Sequence, residues 1–343
     1  MATIVTFGEI MLRLSPPGRE LLFQSPRLEA LFGGAEANVA VSLAVLGHRA
    51  RYVSFVPGNA VGEAAVRELR RWGVDTSFVA RRGARLGVYF AERGANQRPS
   101  RVVYDREGSA FAAAAARGAL VWGEVLEGAD WLHVTGITPG LSAAAADLTL
   151  EGVTTARSAG LAVSVDLNYR SRLWNYGREP EEVMKGIVAQ AGLLLANEED
   201  CRLALGMGEG AVEGTGLPSV EDHERLTARV MEEFPNLTRV AVTLRKSFSA
   251  DHNGWSSVMR NRREFLAGPD FDVGAVVDRI GTGDAFAAGL IHGLATGAPD
   301  AEALAFATAA SCLKHSIAGD FNPSTERDIR DLLGGEASGR IRR

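Results

Sequence analysis

The sequence predicts an α/β protein with a doubly wound, mainly parallel sheet flanked by helices, together with a small β lid. Short β-rich segments alternate with helical patterns along most of the chain, which is typical of βαβ units in a parallel sheet. Two stretches, residues 12–32 and 86–111, interrupt this alternation. The 46% hydrophobic and 23% charged residues indicate a globular protein with a large core.

The first third of the chain contains the clearest elements. We predict its strands at residues 3–7, 51–56 and 77–80, and its helices at residues 35–46 and 61–72. Apolar side chains recur on one face of the second helix, so this helix is expected to pack on the sheet. Gly47 and Gly73 follow the two helices, at the position where glycine commonly ends a helix.

The alternation resumes after the second interruption. Four further strands are predicted at residues 131–135, 161–166, 192–196 and 239–244. Helical patterns separate these strands, which favours parallel neighbours joined by crossovers. The main sheet is therefore expected to draw on both halves of the chain.

The two interrupting stretches are predicted to form one lid, because residues 87–92 and 101–104 resemble the strands of a hairpin. The predicted domains are an α/β domain over residues 1–11, 33–85 and 112–334, a lid over residues 12–32 and 86–111, and a frayed tail over residues 335–343. Residues 207–220 are predicted to form a Gly-rich loop, and residues 112–116 a short helix or a hinge.

Charge and cysteine usage exclude several protein classes. The net charge of −5 argues against a nucleic-acid or anionic-membrane partner. Cys201 and Cys312 lack metal-site spacing and cannot form a disulfide framework. No apolar run approaches the length of a membrane span or a signal peptide, so we expect a cytoplasmic location.

Residues 278–290 read DRIGTGDAFAAGL, a glycine-containing turn that leads into an alanine-rich helix. The backbone N–H groups of this turn are expected to converge at the positive end of the helix, where they would stabilise a transferring phosphoryl group. The predicted catalytic residues are Gly281, Thr282, Gly283 and Asp284. Asp284 is placed to accept the proton of an attacking hydroxyl, although a plain helix-capping role is the alternative.

Residues 32–40 form a second glycine turn that opens a helix. The pair Gly33 and Gly34 allows close backbone approach to a ligand, and Asn38, one helical turn later, can bond hydroxyl groups. A plain loop-to-helix junction is the alternative. The turn is expected to lie beside the first strand, at the end of the sheet where α/β proteins usually bind ligands.

These two segments, with residues 166–170 and 197–200 in the same order, resemble the signatures of the ribokinase-like (PfkB) carbohydrate kinases. The resemblance covers nearly the whole chain and is greatest to members that phosphorylate 2-keto-3-deoxygluconate. It implies ATP-dependent phosphorylation of the terminal hydroxyl of a sugar acid to give the 6-phosphate. Fructose or another ketose remains an alternative substrate. A non-catalytic sugar or nucleotide sensor, and a dehydrogenase, are alternatives of other classes, but no Gly-x-Gly-x-x-Gly turn follows the first strand.

The resemblance also implies roles for individual residues. Substrate hydroxyls would be held by Gly34 and Asn38, the lid side lined by Tyr89 and Tyr104, and the sugar-acid carboxylate bound by Arg106 and Arg170, with Arg13 as a further positive charge. The nucleotide would be contacted by Asn168, Asn197, Thr243, Arg245, Gly281, Gly283 and Asn322. Guanidinium groups suit planar carboxylates, although a surface ion pair is the commoner fate of an arginine.

The resemblance implies Mg²⁺ as well, with Asp200 assisting through water, and a monovalent cation near residues 278–280. Many relatives have Glu where this chain has Asp200, which shortens the carboxylate arm. The sheet of a small lid has open edges, so we also expect a homodimer formed through the lid.

Overall fold

A computed structural model describes residues 1–207 and 219–335. Its strands are β1 (Thr3–Phe7), β2 (Met11–Ser15), β3 (Glu29–Gly33), β4 (Arg49–Val56), β5 (Val79–Arg81), β6 (Gly87–Glu92), β7 (Arg101–Asp105), β8 (Trp131–Thr135), β9 (Ala162–Asp166), β10 (Leu193–Ala196), β11 (Arg239–Ser247), β12 (Asn253–Asn261), β13 (Phe265–Ala267) and β14 (Phe271–Val273). Most strands overlap segments predicted from the sequence, either from the βαβ alternation or, for β6 and β7, from the hairpin pattern.

The strands form two sheets. The large sheet has the order β13-β12-β11-β10-β9-β8-β1-β4-β5, and β14 also pairs with β12. Its strands from β11 to β5 are parallel, whereas β12 runs antiparallel to β11. The second sheet, the lid sheet, has the order β3-β2-β6-β7 and combines residues from both stretches that interrupt the βαβ pattern. The predicted fold class is thereby confirmed.

The helices are α1 (Ala35–Val45), α2 (Ala60–Arg71), α3 (Ala110–Ala114), α4 (Trp122–Val125), α5 (Ile137–Gly140), α6 (Ala143–Ser158), α7 (Pro180–Val188), α8 (Glu198–Leu205), α9 (Val220–Glu233), α10 (Thr282–Ala295), α11 (Asp300–Lys314) and α12 (Glu326–Leu333). Among the described residues, no helix combines the length and apolar character that crossing a bilayer would need.

Helices cover both faces of the large sheet because its strands are apolar on both faces. Within β1, Val5 and Phe7 belong to one buried hydrophobic cluster, whereas Ile4 belongs to another. Successive side chains of a strand point to opposite faces, so the two clusters lie on opposite sides of the sheet. This double covering leaves the carboxyl edge of the parallel strands as the place for polar side chains.

The structure differs from the predicted elements mainly after residue 244. The predicted strand ends at residue 244, but β11 continues to Ser247 and pairs with β12 over its whole length. Residues 245–247 are polar and exposed, so their sequence carries no strand signal. The predicted loop at residues 207–220 lies mostly outside the described residues, as does nearly all of the predicted tail.

Candidate active site

A cleft of about 1690 Å³ opens at the carboxyl edge of the parallel strands. Residues that follow β1, β9, β10 and β11 line its floor, and side chains of the lid sheet line one side. Open α/β sheets bind ligands at this edge because the loops there are free of sheet packing. The cleft also contains the start of α10, so both predicted glycine turns reach it.

The turn before α10 has the geometry of an anion site. Gly281 is the N-cap residue of α10 and has a φ of 85°. A Cβ atom at this position would lie 2.1 Å from the carbonyl oxygen of Asp320, so a side chain cannot be accommodated. Backbone N–H groups in the first turn of a helix lack intrahelical acceptors and lie at its positive end. The turn can therefore bind a phosphate group.

Asp284 joins the two glycine turns. Its side chain is 7% exposed, and its Oδ2 atom accepts a hydrogen bond of 2.6 Å from Nδ2 of Asn38. Oδ1 of Asn38 in turn accepts a bond of 3.2 Å from the backbone N–H of Gly34. Asp284 is not the helix cap, since Gly281 holds that position. The carboxylate thus faces the cleft beside the anion site.

The ionisation of Asp284 suits proton acceptance. Burial raises the pKa of Asp284 to about 6, while the Asn38 hydrogen bond and the positive charges of Arg170 and Lys314 oppose the shift. The group is therefore mostly ionised at neutral pH but keeps a high affinity for a proton. This is the state that a general base requires before it receives a proton.

Gly34 brings α1 close to the chain that follows β1. A Cβ atom on Gly34 would lie 2.1 Å from the carbonyl oxygen of Glu9, so glycine is required by close approach. Two residues later, Glu36 is buried and accepts hydrogen bonds from the hydroxyls of Thr135 and Thr138, at 2.7 and 3.0 Å. Burial raises the pKa of Glu36 to about 7. The start of α1 therefore contacts the segment that follows β1 and hydrogen-bonds to the residues at and after the end of β8.

The lid contributes two aromatic side chains to the cleft. The rings of Tyr89 and Tyr104 lie 5.8 Å apart, and the two residues are directly paired across β6 and β7. The Tyr89 hydroxyl donates to Oδ2 of Asp320 at 2.5 Å, which fixes its position. Tyr104 is 46% exposed, so its ring remains available to a ligand.

The two arginines predicted to bind a carboxylate differ in their surroundings. Arg106 Nε donates to Oε2 of Glu9 at 3.0 Å, and the same guanidinium forms an ion pair with that carboxylate. Arg170 is exposed, donates to the Tyr169 carbonyl at 2.7 Å, and forms no ion pair within the described part of the chain. Arg170 is therefore the guanidinium that is open to a ligand.

Several predicted nucleotide residues meet at the ends of β9 and β10. Asn168 has a positive φ of 36° and its backbone N–H donates to Asp166. Oδ1 of Asn197 caps α8 by accepting from the N–H of Asp200 at 2.8 Å. Oδ1 of Asp200 accepts from the N–H of Tyr169 at 3.1 Å, and burial raises the pKa of Asp200 to about 6.

Thr243 and Arg245 lie on β11 and also line the cleft. Arg245 is exposed, because the antiparallel extension of β11 and β12 carries it beyond the buried part of the sheet. The cleft of about 1690 Å³ that these residues share with Asp284 is large enough for a ligand bigger than a sugar.

Two predicted residues lie elsewhere. Asn322 does not line the cleft: it is buried, and its Nδ2 donates to the Ala310 carbonyl at 3.1 Å. It therefore holds the chain after α11, and its contact with a nucleotide stays a prediction. Arg13 is buried between Asp278 and Asp320 instead of facing a substrate carboxylate.

Sequence reasoning missed several charged groups near the cleft. They are Glu9, Glu36, Asp166, Lys314 and Asp320. Glu36 and Asp166 stand inside the segments that carry the family resemblance, so their positions offered a signal. The sequence around Asp320 contained no such signal, because its partner Arg13 is 307 residues away in the chain.

Comparison with known proteins agrees with this geometry. A model of the pfkB family of carbohydrate kinases matches residues 1–326. The chain belongs to this family. The predicted family is thus confirmed.

Individual pfkB relatives match along nearly the full chain. The 2-dehydro-3-deoxygalactonokinase of Haloferax volcanii is 34% identical over 337 residues, covering 98% of both chains. The 2-dehydro-3-deoxygluconokinase of Bacillus subtilis is 30% identical over 326 residues, covering 94% of this chain and 93% of the relative. The crystal structure of 2-dehydro-3-deoxygluconokinase from Thermotoga maritima has a TM-score of 0.92 at 41% identity, covering 98% of this chain and all of that one.

Proposed function

We propose that the protein transfers the terminal phosphoryl group of ATP to the terminal hydroxyl of a 2-keto-3-deoxy sugar acid. The substrate we favour is 2-keto-3-deoxygluconate, also called 2-dehydro-3-deoxygluconate, which would give its 6-phosphate. The observation that carries the proposal is the buried carboxylate of Asp284 beside the anion-binding turn at Gly281. A base next to an anion site is the arrangement that phosphoryl transfer to an alcohol requires.

The chemistry follows from the positions of these groups. The sugar hydroxyl attacks the terminal phosphorus, the bond from that phosphorus to the bridging oxygen of ADP breaks, and Asp284 receives the hydroxyl proton. Backbone N–H groups of residues 281–284 stabilise the charge on the transferring group. Asn38 holds the carboxylate through its 2.6 Å hydrogen bond. The base and the anion site are thus already aligned before a ligand binds.

Mg²⁺ supplies charge neutralisation on the phosphates when it is bound with the nucleotide. Within the described residues, no group of three or more His, Cys, Asp or Glu side chains is placed to hold a metal. Sparse protein ligation fits Mg²⁺, which retains water ligands and is commonly bound through nucleotide phosphates. Asp200 and its neighbour Asp166 are the carboxylates that would act through such waters.

Arg170 supports an acid as the substrate. Its guanidinium is open to the cleft and lies close enough to Asp284 for its charge to favour the ionised carboxylate. A sugar carboxylate would form charge-assisted hydrogen bonds with such a group. The relatives named above act on the gluco and galacto forms of the same sugar acid, so the galacto epimer is a second candidate substrate.

The nucleotide is proposed to occupy the part of the cleft formed by Asn168, Asn197, Thr243 and Arg245. Lid closure over the sugar would exclude water from the transferring group. ATP hydrolysis in the absence of sugar is therefore expected to be at least about a hundredfold slower than sugar phosphorylation. Comparable rates with and without sugar would contradict the closing role of the lid.

An ADP-release assay with a panel of sugars tests the proposed function. The panel contains 2-keto-3-deoxygluconate, its galacto epimer, gluconate, fructose and ribose, with ATP and Mg²⁺ present throughout. We expect kcat/KM for one or both 2-keto-3-deoxy acids to exceed that for fructose by about tenfold or more. A preference for fructose would favour the ketose kinase alternative, and sugar binding without ADP release would favour the sensor.

We also propose that the protein dimerises through the lid sheet. Its outer strands, β3 and β7, carry apolar side chains at the surface, with Leu31 37% and Val103 45% exposed. Open strand edges with such side chains favour pairing with a second copy. Sedimentation velocity is expected to give twice the 36.5 kDa chain mass, and Val103→Lys is expected to shift it toward the monomer. A monomeric wild type would refute this assembly.

A further inference from the structure

Four buried charged side chains lie directly behind the anion-binding turn. We call Arg13, Asp278, Lys314 and Asp320 the turn-backing cluster. Arg13 and Lys314 are 0% exposed, and both carboxylates are 4% exposed. The four residues come from β2, the segment before α10, the end of α11 and the segment after α11. Four separate segments of the chain therefore each contribute one charged side chain, and together they place two positive and two negative charges side by side.

Arg13 bridges the two carboxylates. Its Nη2 atom lies 2.6 Å from Oδ2 of Asp278, and its Nη1 atom lies 2.6 Å from Oδ1 of Asp320. Its Nε atom donates to the hydroxyl of Ser15 at 2.9 Å. A guanidinium held by two carboxylates and a hydroxyl is fixed in orientation as well as in charge.

The remaining carboxylate oxygens also accept hydrogen bonds. Oδ1 of Asp278 accepts from the backbone N–H of Ile280 at 3.1 Å, and Oδ2 accepts from the N–H of Gly319 at 3.1 Å in addition to Arg13. Oδ2 of Asp320 accepts from the hydroxyl of Tyr89. Every carboxylate oxygen of the turn-backing cluster thus has a protein donor.

Lys314 completes the charge balance. Its Nζ atom donates to the Ile317 carbonyl at 3.0 Å, and its Cε atom lies 3.3 Å from the point where a Cβ on Gly281 would stand. Its positive charge interacts electrostatically with the carboxylates of Asp278, Asp320 and Asp284. Lys314 therefore packs against the N-cap residue of the anion-binding turn and places an ammonium group behind it.

These contacts disagree with the monovalent cation that the family resemblance implies near residues 278–280. The cluster contains two positive and two negative groups, so it is neutral without a further ion. Arg93 brings a second guanidinium to its edge, with Nε 3.6 Å from Oδ2 of Asp278 and Nη2 3.9 Å from Oε2 of Glu29. A bound potassium ion would add an uncompensated charge to a buried site whose carboxylate oxygens already have donors, which is costly.

We propose that Arg13 and Lys314 provide, as fixed side chains, the positive charge behind the anion-binding turn, and that phosphoryl transfer by this protein needs no monovalent cation. This inference rests on the proposed kinase function. Arg13 and Lys314 are positioning residues, because they act through Asp278, Asp320 and the backbone of Gly281 and do not contact the reacting atoms. Arg13 also links the lid sheet to the turn, since it lies on β2.

A salt-replacement assay on the wild-type protein tests the inference directly. The rate of ADP release is measured in tetramethylammonium buffer, with potassium chloride replacing tetramethylammonium chloride at constant ionic strength. We expect kcat/KM to change by less than about twofold. Saturable activation by potassium of about fivefold or more would overturn the inference. Absence of ADP release in every salt would refute the proposed function instead, so the two failures are distinguishable.

A binding readout complements the rate measurement. The melting temperature of the protein is measured in the same salt series with ATP absent. A specific potassium site would raise the melting temperature as the site fills. We expect less than about 1 °C of difference between potassium and tetramethylammonium at equal ionic strength, and a saturable, potassium-specific rise of several degrees would contradict the inference.

Lys314→Met tests the positioning role, because it removes the charge and keeps most of the stem. We expect kcat to fall about tenfold or more while the KM for the sugar changes less than about threefold. The matched control is Lys185→Met, at a surface residue of α7 that is expected to leave both constants unchanged. Wild-type kcat in Lys314→Met would overturn the positioning role. If this variant fails to fold, Lys314→Arg takes its place, with near-normal kcat expected and a tenfold loss contradicting a role based on charge.

Discussion

The cleft has two walls whose polar side chains differ in burial and in hydrogen bonding to the rest of the protein. The inner wall consists of Gly34, Asn38, Gly281 and Asp284. Asn38 and Asp284 are nearly inaccessible and are joined by a 2.6 Å hydrogen bond. The outer wall consists of Tyr104, Arg170, Thr243 and Arg245, whose side chains are wholly or partly exposed.

We propose that the inner wall carries out the chemistry and that the outer wall recognises the ligands. The inner wall is organised before a ligand arrives, so its groups need little rearrangement when charge develops during the reaction. The side chains of the outer wall are exposed to solvent, so we propose that they contribute to ligand binding. Changes in the inner wall are therefore expected to lower kcat, whereas changes in the outer wall are expected to raise KM.

The largest expected effect comes from Asp284→Asn. This substitution keeps the size of the side chain and an oxygen for the Asn38 hydrogen bond but removes the proton acceptor. We expect kcat to fall by about a thousandfold or more with little change in either KM. Steady-state rates with saturating ATP and sugar acid measure it, with Asp147→Asn on α6 as the matched control. Turnover within about tenfold of wild type would remove Asp284 as the base.

The next effect is expected at Arg170. Arg170→Leu should raise the KM for 2-keto-3-deoxygluconate by about 10- to 100-fold, the loss of one charge-assisted interaction, and change the KM for fructose by less than about twofold. Both substrates are assayed with one enzyme preparation. Arg172→Leu is the matched control, since Arg172 is exposed two residues away and does not line the cleft. Equal losses on both sugars would break the assignment of Arg170 to the carboxylate.

The pH dependence of the activity tests the role of Asp284 in the inner wall. The proposed base Asp284 would act in its ionised form, and its pKa is about 6, so kcat/KM should fall as pH drops below about 6, approaching tenfold per pH unit. Asp200, whose pKa is also about 6, could contribute to the same limb. Asp200→Asn should therefore retain the acid limb if Asp284 causes it. An activity that stays constant from pH 7 to pH 5 would contradict a basic role for Asp284.

The smallest expected effect concerns stability. Glu36 beside the inner wall has a folded-state pKa of about 7, above its ordinary value of 4.5, so the folded protein binds more protons between these pH values. Its stabilising contribution is present below about pH 4.5 and is lost as pH rises through 7. We compare the melting temperature of Glu36→Gln with that of the wild type at each pH. The variant should gain about 2 °C more over the wild type at pH 8 than at pH 5. The exposed Glu124→Gln on α4 is the control, and an equal shift in both variants would contradict this reading.

The sequence predicted the parts of the site that lie within short segments. The turns around Gly34 and Gly281 were visible because glycine and a following helix pattern stand together in the chain. The fold class was visible because the strands alternate with helices. Both signals are local in sequence, and the structure places the predicted turns in one cleft.

The parts that could not be predicted depend on contacts between distant segments. Arg13 looked like a substrate arginine, but Asp278 and Asp320, 265 and 307 residues away, bury it. Arg106 is balanced by Glu9, which precedes it by 97 residues. The sequence shows that each position carries a guanidinium group. Whether that group pairs with a carboxylate of the protein or of a ligand depends on tertiary packing.

The position of phosphate on the product tests the central claim most directly. Phosphorus–proton correlation spectra of the product formed from 2-keto-3-deoxygluconate and ATP report which carbon carries the phosphate. If Asp284 receives the proton of the terminal hydroxyl beside the anion-binding turn, the phosphorus signal will couple to the two protons on C6. Coupling to any other sugar carbon, or release of inorganic phosphate without a phosphorylated sugar, would contradict the account.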